Sequence, residues 1–177
     1  PTEKKSLLSL LHLHNSNYKI AFLYEKTPES SAWTYGHELG RMHIEQVFET
    51  EISTVVYENV TLDNIEEMLE QAVQDGCNIV FTTTPSFTNA SVKAAIEHPE
   101  VKFLNCSVNT SHRYIRTYYI RMTEAKFLMG AIAGAMADNN VISYIADYPL
   151  YGTIAHINAF ALGAKMVNPR AKIHLDW

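Results

Sequence analysis

Eight histidines, two cysteines and 19 acidic residues are the groups in this 177-residue chain able to bind a metal or move protons. Their spacing argues against most such chemistry. His37-Glu38 followed by His43 approaches the zinc helix pattern H-E-x-x-H, but the position that should hold the second histidine is Arg41. His37 and His43 face different sides of a helix. His12 and His14 share a face only if extended, and no third ligand is nearby. No metal site is expected. Cys77 precedes one expected strand and Cys106 follows the next, which places them at opposite sheet edges and argues against a mutual disulfide. There is no G-x-S-x-G elbow and no cysteine beside a plausible base. The carboxylates fall mostly on helix faces, where water solvates them.

Phosphate chemistry fares no better. A dinucleotide fold wants G-x-G-x-x-G directly after its first strand. Here that loop reads Glu25-Lys26-Thr27-Pro28-Glu29-Ser30-Ser31-Ala32, without a glycine, and no G-x-x-x-x-G-K-[ST] occurs anywhere. No cofactor is expected. The two G-x-x-x-G spacings, Gly36/Gly40 and Gly130/Gly134, lie inside helical patterns and read as close helix-sheet packing.

The elements that must position any site alternate along the chain. Lys19 to Tyr24 reads as a buried strand, and Trp33 to Thr50 as a helix with Leu39, Met42, Ile44, Val47 and Phe48 at helical spacing. Ser53 to Tyr57 is β-branched and follows as a strand. Asp63 and Glu66 have capping-box spacing before the stripe Ile65, Met68, Leu69, Ala72 and Val73, which Gly76 ends. Further strands are expected at Asn78 to Thr82, Val101 to Asn105, Thr117 to Arg121, Val141 to Ala146 and Lys172 to Trp177. Helices are expected at Asn89 to His98, Glu124 to Ala137 and Thr153 to Val167. Such alternation predicts an α/β fold, a parallel sheet covered by helices on both faces. Residues 1 to 17, Leu-rich and then polar, stand outside the pattern as an N-terminal segment or linker.

Composition removes several function classes. The net charge of −5 disfavours nucleic acid as a partner. The apolar run Phe127 to Ala137 is roughly half of the ~20 residues a membrane span needs. Hydrophobic residues make up 47% of the chain, enough for a sizeable core. The opening at Pro1 suggests a processed or excised piece.

What stands out is the loop chemistry at the carboxyl ends of the expected strands, the edge where open parallel sheets bind ligands. Trp33 and Tyr35 follow the first strand; Thr83, Thr84, Ser86 and Phe87 follow the third. Ser107 and Asn109 follow the fourth, and Asp147, Tyr148 and Tyr151 the sixth. Aromatics mixed with hydroxyls and amides suit a planar ligand held by stacking and hydrogen bonds.

These residues carry a family resemblance. Ser31-Ala32-Trp33-Thr34-Tyr35-Gly36-His37-Glu38-Leu39-Gly40-Arg41 resembles the G-W-T-Y-x-H-D-x-G-R segment of one branch of the basic membrane protein family, the nucleoside- and purine-binding substrate-binding proteins of bacterial ABC transporters. Tyr57-Glu58-Asn59-Val60 resembles its Y-V-E-N-V, and Phe87 with Ala90 its S-F-x-x-x-A loop. Pro99 to Phe103 is similar to P-D-V-K-F, Arg121 to Gly134 to G-R-x-Y-E-A-x-Y-L-A-G-x-x-A-G, and Ile157 to Ala164 to G-I-N-A-F-x-L-G-A. The six matches keep the family order across residues 18 to 177.

The resemblance implies a type I periplasmic-binding-protein (Venus flytrap) fold, in which two α/β lobes close on a ligand without performing chemistry. It implies that Trp33 stacks on a purine, that Ser86 and Phe87 line the first lobe's wall, and that Glu124 and Asn158 fall near the hinge and second lobe. It further implies an extracytoplasmic, membrane-associated lipoprotein at a bacterial cell surface or in the periplasm, with an ABC transporter permease as partner. Departures lie in the first loop, Thr27-Pro28-Glu29-Ser30-Ser31, and after strand six, Tyr148-Pro149-Leu150-Tyr151-Gly152. A ligand-sensing domain fused to a signalling protein and a Rossmann-like enzyme are the competing readings. A two-lobed receptor needs on the order of 300 residues. The expected organisation is therefore a first lobe over 18–137 and only the start of a second over 138–177.

Overall fold

The computed structural model describes residues 18–107, 113–146 and 151–177, without the Tyr151 side chain. The described elements are β1 (Tyr18–Leu23), α1 (Ala32–Phe48), β2 (Ile52–Tyr57), α2 (Ile65–Gln74), β3 (Ile79–Thr82), a 3-10 turn (Pro85–Phe87), α3 (Thr88–Glu97), β4 (Lys102–Cys106), β5 (Arg116–Tyr118), α4 (Met122–Met136), β6 (Val141–Ile145), α5 (Tyr151–Val167) and β7 (Lys172–Asp176). The alternation expected from periodicity is present. Residues 1–17 lie outside the described set.

The chain divides into two compact units that part between Tyr119 and Ile120. In the first unit, five parallel strands run in the order β2-β1-β3-β4-β5. Alternation along β1 sends Ala21 and Leu23 to one face and Ile20 and Phe22 to the other, where Tyr24 beyond the strand end joins them. The first face meets Val80 and Phe103 of the sheet, Ile65, Leu69 and Ala72 of α2, and Ala94 and Ala95 of α3. The second packs with Phe81, Ile79 and Val56, and with Ile44 of α1. Both faces of β1 are therefore buried, as parallel sheets require.

Helix ends show where local chemistry decided and where it did not. Ser31 caps α1, its Oγ accepting the Thr34 N–H at 3.3 Å. For α2 the expected capping box does not form. Asn64 is the N-cap, and its Oδ1 accepts instead from the Thr61 N–H at 2.7 Å, a turn before the helix. Gly76 ends α2 as expected: with φ +82 it donates to the Val73 carbonyl while Cys77 donates to Ala72, the Schellman pattern.

Helix α1 departs from its expected apolar stripe. Of Leu39, Met42, Ile44, Val47 and Phe48, only Ile44 packs on the second-face cluster; the others are exposed. The side turned to the sheet carries charge instead. Arg41 bonds Glu38 at 2.6 and 2.8 Å, pairs with Glu45 at 2.9 Å and donates to Thr54 of β2 at 2.6 Å. Tyr24 donates to Glu38 at 3.1 Å. The Arg41 guanidinium holds the Glu38 carboxyl below the usual carboxylate range.

In the second unit, β6 and β7 form a two-stranded parallel sheet joined by α5, with α4 packed on α5. The division into compact units therefore groups α4 with α5. The reason is glycine packing: a Cβ on Gly130 would stand 1.9 Å from the Phe160 carbonyl oxygen, one on Gly134 2.5 Å from that of Ala164, and one on Gly163 1.9 Å from that of Phe127. Only bare backbone lets α4 and α5 approach this closely, so α4 joins the unit that contains α5. The Gly130/Gly134 spacing therefore serves helix-helix packing. A methyl group added at Gly36 or Gly40 of α1 would meet nothing within 4 Å, which removes a packing role for those two. Apolar side chains remain uncovered in the second unit, with Ile145 82% and Met136 74% exposed.

Glycine-to-alanine changes should therefore split by unit in thermal denaturation. Gly130→Ala lowers stability by about 1–3 kcal/mol, because backbone must move to admit the methyl group. Gly36→Ala raises it by roughly 0.5–1 kcal/mol, the ordinary helix-interior gain. Equal effects at the two positions would refute the packing account.

Candidate functional site

The carboxyl ends of β1, β3 and β4 are tied together by hydroxyl and amide bonds. Thr83, buried just beyond β3, donates its Oγ1–H to the Leu23 carbonyl at 2.8 Å and so ties the ends of β3 and β1. Asn105 of β4 donates from Nδ2 to Thr82 Oγ1 and to the Thr84 carbonyl, both at 2.8 Å, while its Oδ1 accepts from Thr88 at 2.8 Å. Ser91 closes the set, sharing a 2.9 Å bond with Thr82 and donating to the Phe87 carbonyl at 2.8 Å. A buried network satisfied in this way rigidifies the loop it supports.

On that base stands an aromatic cluster. Trp33, in the first turn of α1, donates its indole N–H to the Thr83 carbonyl at 2.7 Å and is 39% exposed. The His37 ring lies edge-on to it, 5.1 Å between centroids, and His37 Nδ1 is 3.0 Å from the Trp33 carbonyl. A carbonyl only accepts, so Nδ1 carries the proton. Burial pushes the His37 pKa below its usual value, against a smaller opposing effect of that bond. Tyr118 of β5 meets His37 at 6.0 Å and Phe81 at 5.6 Å, and Phe81 stacks on Phe22 at 4.9 Å. Tyr119 stands 6.2 Å from Trp33 with the rings tilted by 38°. A line of rings thus leads from the core of the sheet to one part-exposed indole. Burial also raises the Tyr118 hydroxyl above its usual value and pushes the Cys106 thiol up to about 11, so neither ionises near neutral pH.

The expected ligand-binding residues separate on this frame. Trp33 is at the edge, held and open. Tyr35 is exposed on α1, two residues and about 200° of helix rotation beyond Trp33. Ser86 is exposed on the 3-10 turn. Phe87 is a correction: it is 0% exposed and packs in the core with Leu69, Val80 and Phe103, because the turn directs its ring under the sheet edge. Glu124 and Asn158 belong to the second unit, both exposed, with Glu124 3.8 Å from Arg121 and Asn158 in the middle of α5. Tyr148 lies outside the described residues. Cys77 and Cys106 are buried free thiols.

With this geometry in view, comparison with known proteins is informative. The profile of the ABC transporter substrate-binding protein PnrA-like family matches residues 17–177. The chain belongs to that family. A purine-binding protein of Brucella abortus (strain 2308) is 28% identical over 160 residues, 90% of this chain and 46% of its own length. A putative ABC transporter glucose-binding protein of Haloferax volcanii is 27% identical over 157 residues, 89% of this chain and 40% of its own. The chain thus spans somewhat under half the length of these curated relatives. Among solved structures, an ABC transporter solute-binding protein from Aeropyrum pernix K1 superposes with TM-score 0.73 at 17% identity, over 90% of this chain and 47% of that one. That likeness supports the type I periplasmic-binding-protein fold.

This member of the PnrA-like family holds three aromatic residues in its edge cluster, His37, Tyr118 and Tyr119, that the sequence does not mark as site residues. The H-E context of His37 draws attention to metal binding; its i, i+4 spacing from Trp33 is the signal that pairs the two rings on one helix face. Tyr118 reads as a strand residue, which it is.

The His37 environment makes a pH prediction. A histidine whose folded value is lowered from 6.5 contributes stability that is full above about pH 6.5 and is lost as pH falls toward that lowered value. Thermal unfolding of the parent should weaken below about pH 6.5, and His37→Gln should flatten the curve between that pH and the acid range where carboxylates titrate. Parallel curves for the two proteins would contradict the assignment.

Proposed function

We propose that this chain is the ligand-binding part of an extracytoplasmic substrate-binding protein that takes up a purine or nucleoside and performs no chemistry on it. The observation that carries the reading is the Trp33 ring, part-exposed and fixed by its 2.7 Å bond to the Thr83 carbonyl at the carboxyl edge of the sheet. A planar base stacks on such a fixed indole, whose orientation costs nothing further on binding. The purine-binding name of the Brucella relative supports the ligand class. Family membership supports delivery of that ligand to a membrane permease of an ABC transporter. No described helix is long and apolar enough to cross a membrane.

A sugar is the second reading. It is favoured by the glucose-binding name of the Haloferax relative, and an aromatic face also accepts the apolar side of a pyranose.

A thermal-shift panel separates them. Adenine, adenosine and guanosine should each be tested against glucose. At a hundred times Kd a ligand that binds only the folded state adds about 2.7 kcal/mol, a shift of several degrees. Trp33→Ala should cut that stabilisation to between about 1.7 and 0.3 kcal/mol at the same ligand concentration, since loss of one base-aromatic stack costs about 1–3 kcal/mol. A response to glucose alone would replace the purine reading, and no response to any purine or nucleoside would end it.

A further inference from the structure

Resting on the reading of Trp33 as the ligand platform, we infer that His37 is the positioning residue of that platform. Its neutral imidazole touches both Trp33 and Tyr118 and holds the indole in place, and a proton on the imidazole loosens the platform and weakens ligand binding.

The indole is fixed at one point, by the bond from its N–H to the Thr83 carbonyl at 2.7 Å. One bond leaves the ring able to swing, and contact with neighbouring rings limits that swing. Tyr119 is one such neighbour, at 6.2 Å between centroids, and His37 is a closer one, at 5.1 Å. His37 lies one helical turn on from Trp33, on the same face of α1. Its Nδ1–H donates to the Trp33 carbonyl at 3.0 Å, which sets the rotation of the imidazole itself. The imidazole then meets Tyr118 of β5 at 6.0 Å, and Tyr118 meets Phe81 of β3 at 5.6 Å. The indole is thus braced on the sheet through His37.

This brace depends on charge. Nδ1 already carries the proton given to the Trp33 carbonyl, so a second proton goes to Nε2. The neighbouring groups do little to stabilise it. On α1, the Trp33 indole is a donor engaged with Thr83, Glu38 is bonded to Arg41 and Tyr24, and Arg41 is itself a cation. From β5 comes Tyr118, whose hydroxyl stays neutral because burial raises it. The influences on His37 are burial, which lowers its pKa, and the Trp33 carbonyl, which opposes burial by less. An imidazolium gains hydration by turning outward, and that movement takes the ring away from the indole. Proton and ligand therefore oppose each other, with full affinity above about pH 6.5 and loss as pH falls toward the lowered value.

Emission and calorimetry test this. Trp33 and Trp177 are the two tryptophans, so a Trp177→Phe background reports Trp33 alone. In that background, without ligand, Trp33 emission should move to the red between about pH 7.5 and about pH 5, and His37→Gln should remove the change. Adenine, adenosine and guanosine, all predominantly uncharged over this range, are then titrated into the parent and its variants. Parent affinity should fall about threefold or more at the lower pH, the effect of a ligand that displaces the His37 pKa by about half a unit. His37→Gln should bind about threefold or more weakly than the parent at the higher pH, with no further loss at the lower. His37→Phe keeps a ring against the indole and takes no proton; it should stay within about twofold of the parent at the higher pH and lose the pH dependence. A histidine that merely stabilised the fold would move the melting temperature and leave these affinities alone. Equal parent affinity at both pH values, parent-like affinity of His37→Gln at the higher pH, or an emission change that survives His37→Gln overturns the inference while the purine reading stands. A parent that binds none of the three ligands at the higher pH ends the purine reading instead, and the unliganded emission change then decides by itself whether His37 positions Trp33.

Discussion

Burial of β1 on both faces is the constraint around which the first unit is organised. With Leu23 and Tyr24 fully buried and β2 and β3 bonded to either side, β1 offers no edge and no solvated face. Every helix of the unit must then cover one face or the other, and only the carboxyl end of the sheet is left for loops. Thr83 makes that end rigid by bonding the Leu23 carbonyl, and it then presents its own carbonyl to Trp33. Core and candidate site are therefore one hydrogen-bonded chain.

The two faces are covered in different ways. Helices α2 and α3 use apolar side chains in the ordinary manner. Helix α1 reaches the sheet through Thr34, His37, Glu38, Arg41 and Glu45, with Ile44 the apolar contribution. Partly buried charges are tolerated because each is paired: Arg41 answers both glutamates, and Tyr24 and Thr54 supply the remaining bonds. This polar attachment fixes the helix rotation, which is what brings Trp33 and His37 to the sheet edge and turns Leu39 and Met42 away.

Much of this is legible without coordinates. The strand-helix alternation, the Gly76 stop and the aromatic-hydroxyl loops at one edge all follow from periodicity and turn chemistry, which are local. Phe87 misleads because a loop aromatic at a ligand edge and a core aromatic beneath it look alike in sequence; the 3-10 turn after Thr84 decides between them. The α1 stripe misleads because apolar spacing marks a helix without saying which face meets the protein. The G-x-x-x-G pattern misleads because it announces close approach without naming the partner, and here the partner of α4 is α5 rather than the sheet.

The division between sequence and tertiary structure accordingly follows the range of the forces involved. Element types, parallel sheet architecture and family came from residue order alone, since helix and strand periods and ordered motifs are properties of neighbouring residues. Which aromatic becomes a platform and which becomes core came only with the fold. Trp33 reaches Thr83 across fifty residues of sequence and Tyr119 across more than eighty, and such contacts exist only after strands β1, β3 and β5 have been set into one sheet.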